Sequence, residues 1–261
     1  MERITATYYI ETPYAPEKAA QVLAGEQSSG TFVAVPGETE ELKQRFAARV
    51  ESVEHLETVD TPAIPGATSK TGKYHRAMVK VSWSIENFGY NLPVLISTLQ
   101  GNLYEITQFT GLKLMDIDLP ESFAKHYTGA KFGIEGCRQL TSVHSQRPLI
   151  GTIIKPSIGL TPEQTADIVQ TLAAAGIDFV KDDELMSSSA NASFEARLKA
   201  VMNVINAHAD KTGKKVMYAC NISGEVDEMK ERYEQIVAIG GTCAMISINN
   251  VGLSAAKKIC D

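Results

Sequence analysis

The chain has little that would point to a membrane, to nucleic acid or to an oxidising compartment. No uninterrupted apolar run is long enough to cross a bilayer, and the start, Met1-Glu-Arg-Ile-Thr5, lacks the basic region and apolar core of a signal peptide. Lysine and arginine are scattered singly and the net charge is −6 at pH 7, which argues against nucleic acid as a partner. The four cysteines, Cys137, Cys220, Cys243 and Cys260, form no CxxC pair, so no zinc site or disulfide framework is expected and buried thiols are the default. The five histidines also lack metal-ligand spacing. Together these absences predict a cytoplasmic protein with no nucleic-acid and no membrane partner.

What is present is an ordinary globular composition, 261 residues with 44% apolar and 21% charged, enough for one large or two average domains. Residues 1–128 read as an α+β domain. Strands are expected at Arg3 to Glu11, Phe32 to Val35, Arg49 to Leu56, His75 to Ser84 and Leu112 to Leu119. Helices are expected at Ala15 to Ala24, Thr39 to Ala48 and Leu92 to Leu99, the first with its proline tolerated in the opening turn. Val79, Val81 and Trp83 share one strand face. This alternation around one sheet predicts a ferredoxin-like sandwich.

Residues 129–261 read differently. After a linking stretch from Glu121 to about Pro148, the nearly continuous apolar run Leu149 to Ile154 predicts a strand buried on both faces, as in a parallel sheet. Thr161-Pro-Glu-Gln164 then opens a helix with a capping box, and Gly176 closes it. The unit recurs: strands Ile177 to Asp182, Lys215 to Cys220 and Thr242 to Ile248 precede helices Ser193 to Ala209, Val226 to Ile239 and Ser254 to Cys260. Four β-plus-α units of about thirty residues, with no GxGxxG after the first strand, favour the first half of an α/β TIM-type barrel over a dinucleotide-binding sheet.

In such a barrel the chemistry sits where strands end. The strand Ile177 to Asp182 runs into Lys181-Asp-Asp-Glu184, and period-two alternation puts Lys181 and Asp183 on one side. Glu184 joins them if the chain turns at once, as Ser187-Ser188-Ser189 allows. A lysine beside acids is also what a solvated loop with surface ion pairs looks like, and position at a strand end is what favours a site. Two carboxylates and an amine make a hard oxygen site for Mg²⁺ if CO₂ converts the lysine to an anionic carbamate. Lys155, at the end of the preceding strand, is a candidate for moving a proton next to a carbonyl. Asn221, Asn249 and Asn250 read as turn residues at strand ends.

Four stretches in matching order, Glu26-Gln-Ser-Ser-Gly-Thr31, Gln100-Gly-Asn102, Gly151-Thr-Ile-Ile-Lys-Pro-Ser-Ile-Gly-Leu160 and Asp178-Phe-Val-Lys-Asp-Asp-Glu184, resemble the large subunit of ribulose-bisphosphate carboxylase (RuBisCO). They resemble more closely its RuBisCO-like relatives of the form IV type. The resemblance implies a ferredoxin-like domain followed by a barrel, and a homodimer whose active site is shared between subunits. It implies Mg²⁺ and CO₂ as a lysine carbamate, with Lys181, Asp183 and Glu184 as ligands and Lys155 transferring protons. Asn102 would contact metal-bound substrate, while Glu26 and Thr31 would reach across the dimer, Thr31 towards a phosphate.

Departures from the carboxylase pattern narrow the activity. Ser157 stands where the carboxylase has a second lysine and Phe32 where it has a tryptophan, which weighs against CO₂ fixation. Asn102 and Pro156 weigh against the diketo-methylthiopentyl-phosphate enolases of methionine salvage. The remaining resemblance implies a lyase of carbohydrate catabolism, 3-oxo-isoapionate-4-phosphate decarboxylase, forming an enediolate from a phosphorylated keto sugar acid. Because only four barrel units are present, the sequence reads as part of a longer enzyme, the alternative being a non-catalytic oligomerising fragment.

Overall fold

Ile4, Ala6, Tyr8 and Ile10 alternate along the first strand and all four are fully buried, so one face of that strand makes the centre of a core. The computed structural model describes residues 2–29, 36–186 and 188–261. Thr31, the strand expected over Phe32 to Val35, and Ser187 lie outside the described residues. The chain divides into two compact units, Met1–Tyr127 and Thr128–Asp261.

The first unit runs β1 (Arg3–Thr12), α1 (Pro16–Glu26), α2 (Glu40–Phe46), β2 (Arg49–Val59), β3 (Tyr74–Ser84), α3 (Leu92–Gln100), β4 (Gly111–Asp118) and α4 (Glu121–Ala124). The sheet order is β2-β3-β1-β4 with antiparallel neighbours, the ferredoxin-like arrangement. Val79, Val81 and Trp83 of β3 are fully buried beside Tyr8, whose ring meets Trp83 edge to face at 6.4 Å. Ala19, Ala20 and Leu23 of α1 and Leu95 and Leu99 of α3 belong to the same core. Burying each large side chain there contributes roughly 1.5–3 kcal/mol.

The second unit runs α5 (Gly133–Leu140), β5 (Gly151–Ile153), α6 (Pro162–Ala174), β6 (Phe179–Lys181), α7 (Phe194–Thr212), β7 (Met217–Asn221), α8 (Val226–Ala238), β8 (Cys243–Met245) and α9 (Ile248–Cys260). Its strands form a parallel sheet in sequential order, β5-β6-β7-β8, as consecutive barrel units require. Helix starts follow the sequence signals: Thr161 and Gln164 complete a capping box, and the Ser193 side chain accepts the Ala196 N–H. Gly176 has φ +89°, a left-handed turn that a side chain would strain. Leu198, Val201, Met202 and Ile205 of α7 pack into this unit's core.

Several expectations need correction. The stretch from Glu121 to Pro148 holds α4 and α5 and is more than a link. The β5 region is not buried on both faces: Ile150 and Ile153 are 62% and 41% exposed, because β5 ends its sheet and no strand among the described residues pairs with its far edge. Only Cys220 of the cysteines is buried, Cys137 and Cys260 being exposed. Asn249 and Asn250 lie in the first turn of α9.

Asp178, just before β6, is fully buried and accepts hydrogen bonds from both Arg147 Nη atoms at 2.6 and 2.7 Å, Lys214 Nζ at 2.7 Å and the Ile150 N–H at 2.9 Å. The Arg147 contact above all holds its carboxyl well below the usual carboxylate range. A depressed folded pKa stabilises above the unfolded value of about 4 and loses that contribution as pH falls below it. Urea midpoints measured from neutral pH into acid are therefore expected to drop below about pH 4. Asp178→Asn should lower neutral stability by roughly 3 kcal/mol and flatten the acid slope; an unchanged slope would show that other carboxylates carry it.

Candidate active site

Parallel pairing brings the chemistry-bearing residues to one level. Ile153 on β5, Lys181 on β6 and Ala219 on β7 are in register, so Lys155, Asp183 and Asn221 each fall two residues beyond a paired position. Lys155 Nζ accordingly meets Asp183 Oδ2 at 2.5 Å and also donates to Ser157 Oγ at 2.9 Å. The chain turns at Glu184, whose Oε1 accepts from Lys181 Nζ at 2.8 Å, while the same ammonium donates to the Asp182 carbonyl at 2.9 Å.

The two ion pairs have different surroundings. The Asp183 side chain is 8% exposed and its partner Lys155 is 62% exposed, whereas Lys181 is 23% and Glu184 52% exposed. Hydrogen bonding to Lys155, then to the Leu185 N–H, holds the Asp183 carboxyl below its ordinary pKa. Lys181 does the same for Glu184, opposed in part by the charge of Asp183. Both acids are thus ionised at neutral pH.

Asp182 points the other way, as strand alternation dictates. It is fully buried, accepts from Tyr218 Oη at 2.6 Å and the Asn221 N–H at 3.0 Å, and pairs with Arg197 at 3.3 Å. Burial raises the Tyr218 pKa, so its hydroxyl stays a donor. This buried cluster anchors the strand end from behind. Sequence reading missed it, although the parity of Asp182 against Lys181 and Asp183 was the available signal.

Of the residues assigned to substrate binding, Glu26 ends α1 and Asn102 follows α3, and they meet: Asn102 Nδ2 donates to Glu26 Oε1 at 2.6 Å. Gly101 is needed beside them, since a Cβ there would stand 2.5 Å from the Ser97 carbonyl oxygen. Thr31 lies outside the described residues.

Among the described residues no three His, Cys, Asp or Glu side chains are grouped to hold a metal. Asp183 and Glu184 supply two oxygen donors, and a third anionic donor requires Lys181 as a carbamate. With both lysines as ammonium groups, the two carboxylates are already neutralised. Carbamylation of Lys181 leaves two surplus negative charges, which one divalent cation balances. On that condition the donor set fits Mg²⁺. A cavity of about 680 Å³ opens nearby between Pro156 to Leu160 on one side and Leu185, Met186 and Ser189 to Ala192 on the other, but none of Lys155, Lys181, Asp183 and Glu184 lines it. It therefore does not define where the chemistry occurs.

A ferredoxin-like unit and sequential parallel βα units, with lysine and carboxylate pairs at the strand ends, define a two-unit chain whose second unit is a partial α/β barrel. The chain belongs to the ribulose bisphosphate carboxylase large-chain family: residues 2–123 match its N-terminal domain and residues 133–260 its catalytic domain. It is 53% identical over 258 residues to the 3-oxo-isoapionate-4-phosphate transcarboxylase/hydrolase of Xanthobacter autotrophicus, covering 99% of this chain and 62% of that protein. It is 46% identical over 250 residues to the 3-oxo-isoapionate-4-phosphate decarboxylase of Rhizobium etli, covering 95% and 60%. The crystal structure of a RuBisCO-like protein from Burkholderia fungorum matches with a TM-score of 0.89 at 36% identity, over 100% of this chain and 62% of that one. The chain thus spans about three fifths of the length of the curated relatives it matches.

Proposed function

We propose that this protein is a carboxy-lyase that removes the carboxyl group of 3-oxo-isoapionate 4-phosphate, a β-keto acid, working as a cytoplasmic homodimer. The observation carrying the reading is the pairing of Lys155 with Asp183 and Lys181 with Glu184 at the ends of adjacent parallel strands. The names of the two relatives supply the substrate. Asp183, Glu184 and carbamylated Lys181 would hold Mg²⁺, which when bound supplies fixed positive charge for the electron pair left by the departing carboxyl group.

The rest falls to the chain's own side chains. Breaking the carbon–carboxylate bond of a β-keto acid releases CO₂ and leaves an enediolate, which needs one proton on carbon. Lys155 is the donor: Asp183 and Ser157 hold its ammonium as two acceptors, and its exposure lets solvent restore the proton. Glu26, Asn102 and Thr31 would contact substrate, with Glu26 and Thr31 reaching in from the second copy together with the Asn102 that is bonded to that Glu26, and Thr31 taking the phosphate.

A second reading, transfer of the carboxyl group followed by hydrolysis, is favoured by the 53% identical relative. Both begin with the same bond cleavage. Substrate labelled with ¹³C in its carboxyl group separates them: the decarboxylase reading expects label in released CO₂, the transcarboxylase reading in an acid product. Either way turnover should need bicarbonate and Mg²⁺ and stop with EDTA. Turnover indifferent to both would overturn the metal assignment.

A further inference from the structure

One side chain outside the ligand set reaches three backbone carbonyls of the segment that carries the acids. Asn221 is the last residue of β7, is 2% exposed, and by register stands level with Asp183. Its Nδ2 lies 3.3 Å from the Asp183 carbonyl oxygen, 3.2 Å from that of Glu184 and 2.9 Å from that of Met186. Its Oδ1 accepts the Ser223 N–H at 3.0 Å, which fixes the amide orientation and turns its donors toward β6. Its own backbone N–H is bonded to Asp182. Within the carboxylate-bearing turn the Leu185 N–H bonds Asp183 Oδ1 and the Met186 N–H bonds the Asp183 carbonyl, while Lys155 and Lys181 hold the carboxylate ends rather than the backbone.

We infer that Asn221 is the positioning residue of this site: its amide gathers the three carbonyls of the 183–186 turn and so sets the directions of the Asp183 and Glu184 carboxylates. The inference rests on the metal reading of that acidic pair. Geometry supports it over a generic core role. An asparagine that merely filled volume would not need three carbonyl acceptors from one turn on a neighbouring strand, and a buried amide spends its donors where they fix backbone. Two carboxylates on adjacent residues can converge on one cation only if the peptide between them is held, and Asn221 contacts the carbonyl of that peptide, Asp183's, together with the Glu184 and Met186 carbonyls that follow it.

The test titrates Mn²⁺ in bicarbonate buffer into the wild type, Asn221→Ala, the milder Asn221→Ser, and Tyr218→Phe. It is combined with melting curves and with hydrogen exchange at the Leu185 and Met186 amides. Tyr218→Phe removes a hydroxyl from buried Asp182 and leaves the Asn221 amide bonds in place, so it controls for general loss of stability. Asn221→Ala is expected to weaken Mn²⁺ binding about 10–100-fold and to speed exchange at both amides, with Asn221→Ser intermediate. Tyr218→Phe should lower the melting temperature and leave Mn²⁺ affinity unchanged.

Wild-type affinity in both Asn221 variants, or equal weakening by Tyr218→Phe, would overturn the inference. A wild type that takes up no Mn²⁺ would instead overturn the metal reading. Exchange would then decide about Asn221: unchanged amides refute the clamp, and faster ones uphold it as an organiser of the turn alone.

Discussion

Lys181→Ala is expected to abolish CO₂-dependent divalent-cation binding, with Mn²⁺ affinity in bicarbonate falling by about 100-fold or more. That is the top of the range for losing an outer-shell partner, and here a ligand itself is lost. Lys181 now neutralises Glu184, and the site can take a cation only if that amine becomes an anion. Alanine provides no third donor and leaves two like charges on neighbouring residues. Intact-mass measurement of the wild type under CO₂ should show one CO₂ added, absent from the variant. The melting temperature should move little, because a partly exposed ion pair contributes at most about 1 kcal/mol. Equal Mn²⁺ affinity in the two proteins would remove the carbamate from the mechanism.

Lys155→Met is expected to act in the opposite direction on binding. Lys155 is the first cause of the lowered Asp183 pKa, so its removal frees that carboxylate from its counterion. Cation affinity should hold or rise, while the pH below which binding is lost moves upward with the Asp183 pKa. Turnover, by contrast, should fall about 10²–10⁴-fold, the contribution of a positioned proton donor. Steady-state rates and Mn²⁺ titrations on the same preparation measure both. A variant that loses cation binding and turnover together would make Lys155 a structural partner of Asp183 and remove it as the proton donor.

The legible parts of this chain were those governed by local periodicity. Alternation in Arg3 to Glu11 and His75 to Ser84 reported the buried face of β1 and β3, and Thr161 and Ser193 announced α6 and α7. The glycines of Gly133-Ile-Glu-Gly136 masked α5, since glycine weakens a helical pattern whatever the tertiary contacts later supply. Apolarity between Leu149 and Ile154 predicts burial on both faces, but burial depends on what stands alongside, and no described strand pairs with the far edge of β5.

At the site the same division holds. Residue types, and the side of the strand on which Lys181 and Asp183 stand, were decided by the sequence, because alternation is a property of the backbone. Which lysine meets which acid was not. Lys155 and Asp183 are 28 residues apart and meet only because β5 and β6 pair with Ile153 level with Lys181. The same register makes Asn221, read as a turn residue, the donor to three carbonyls, and turns Asp182 into the core against Arg197 and Tyr218. Strand register is set by long-range packing and hydrogen bonding, so those partnerships existed only once the sheet had formed.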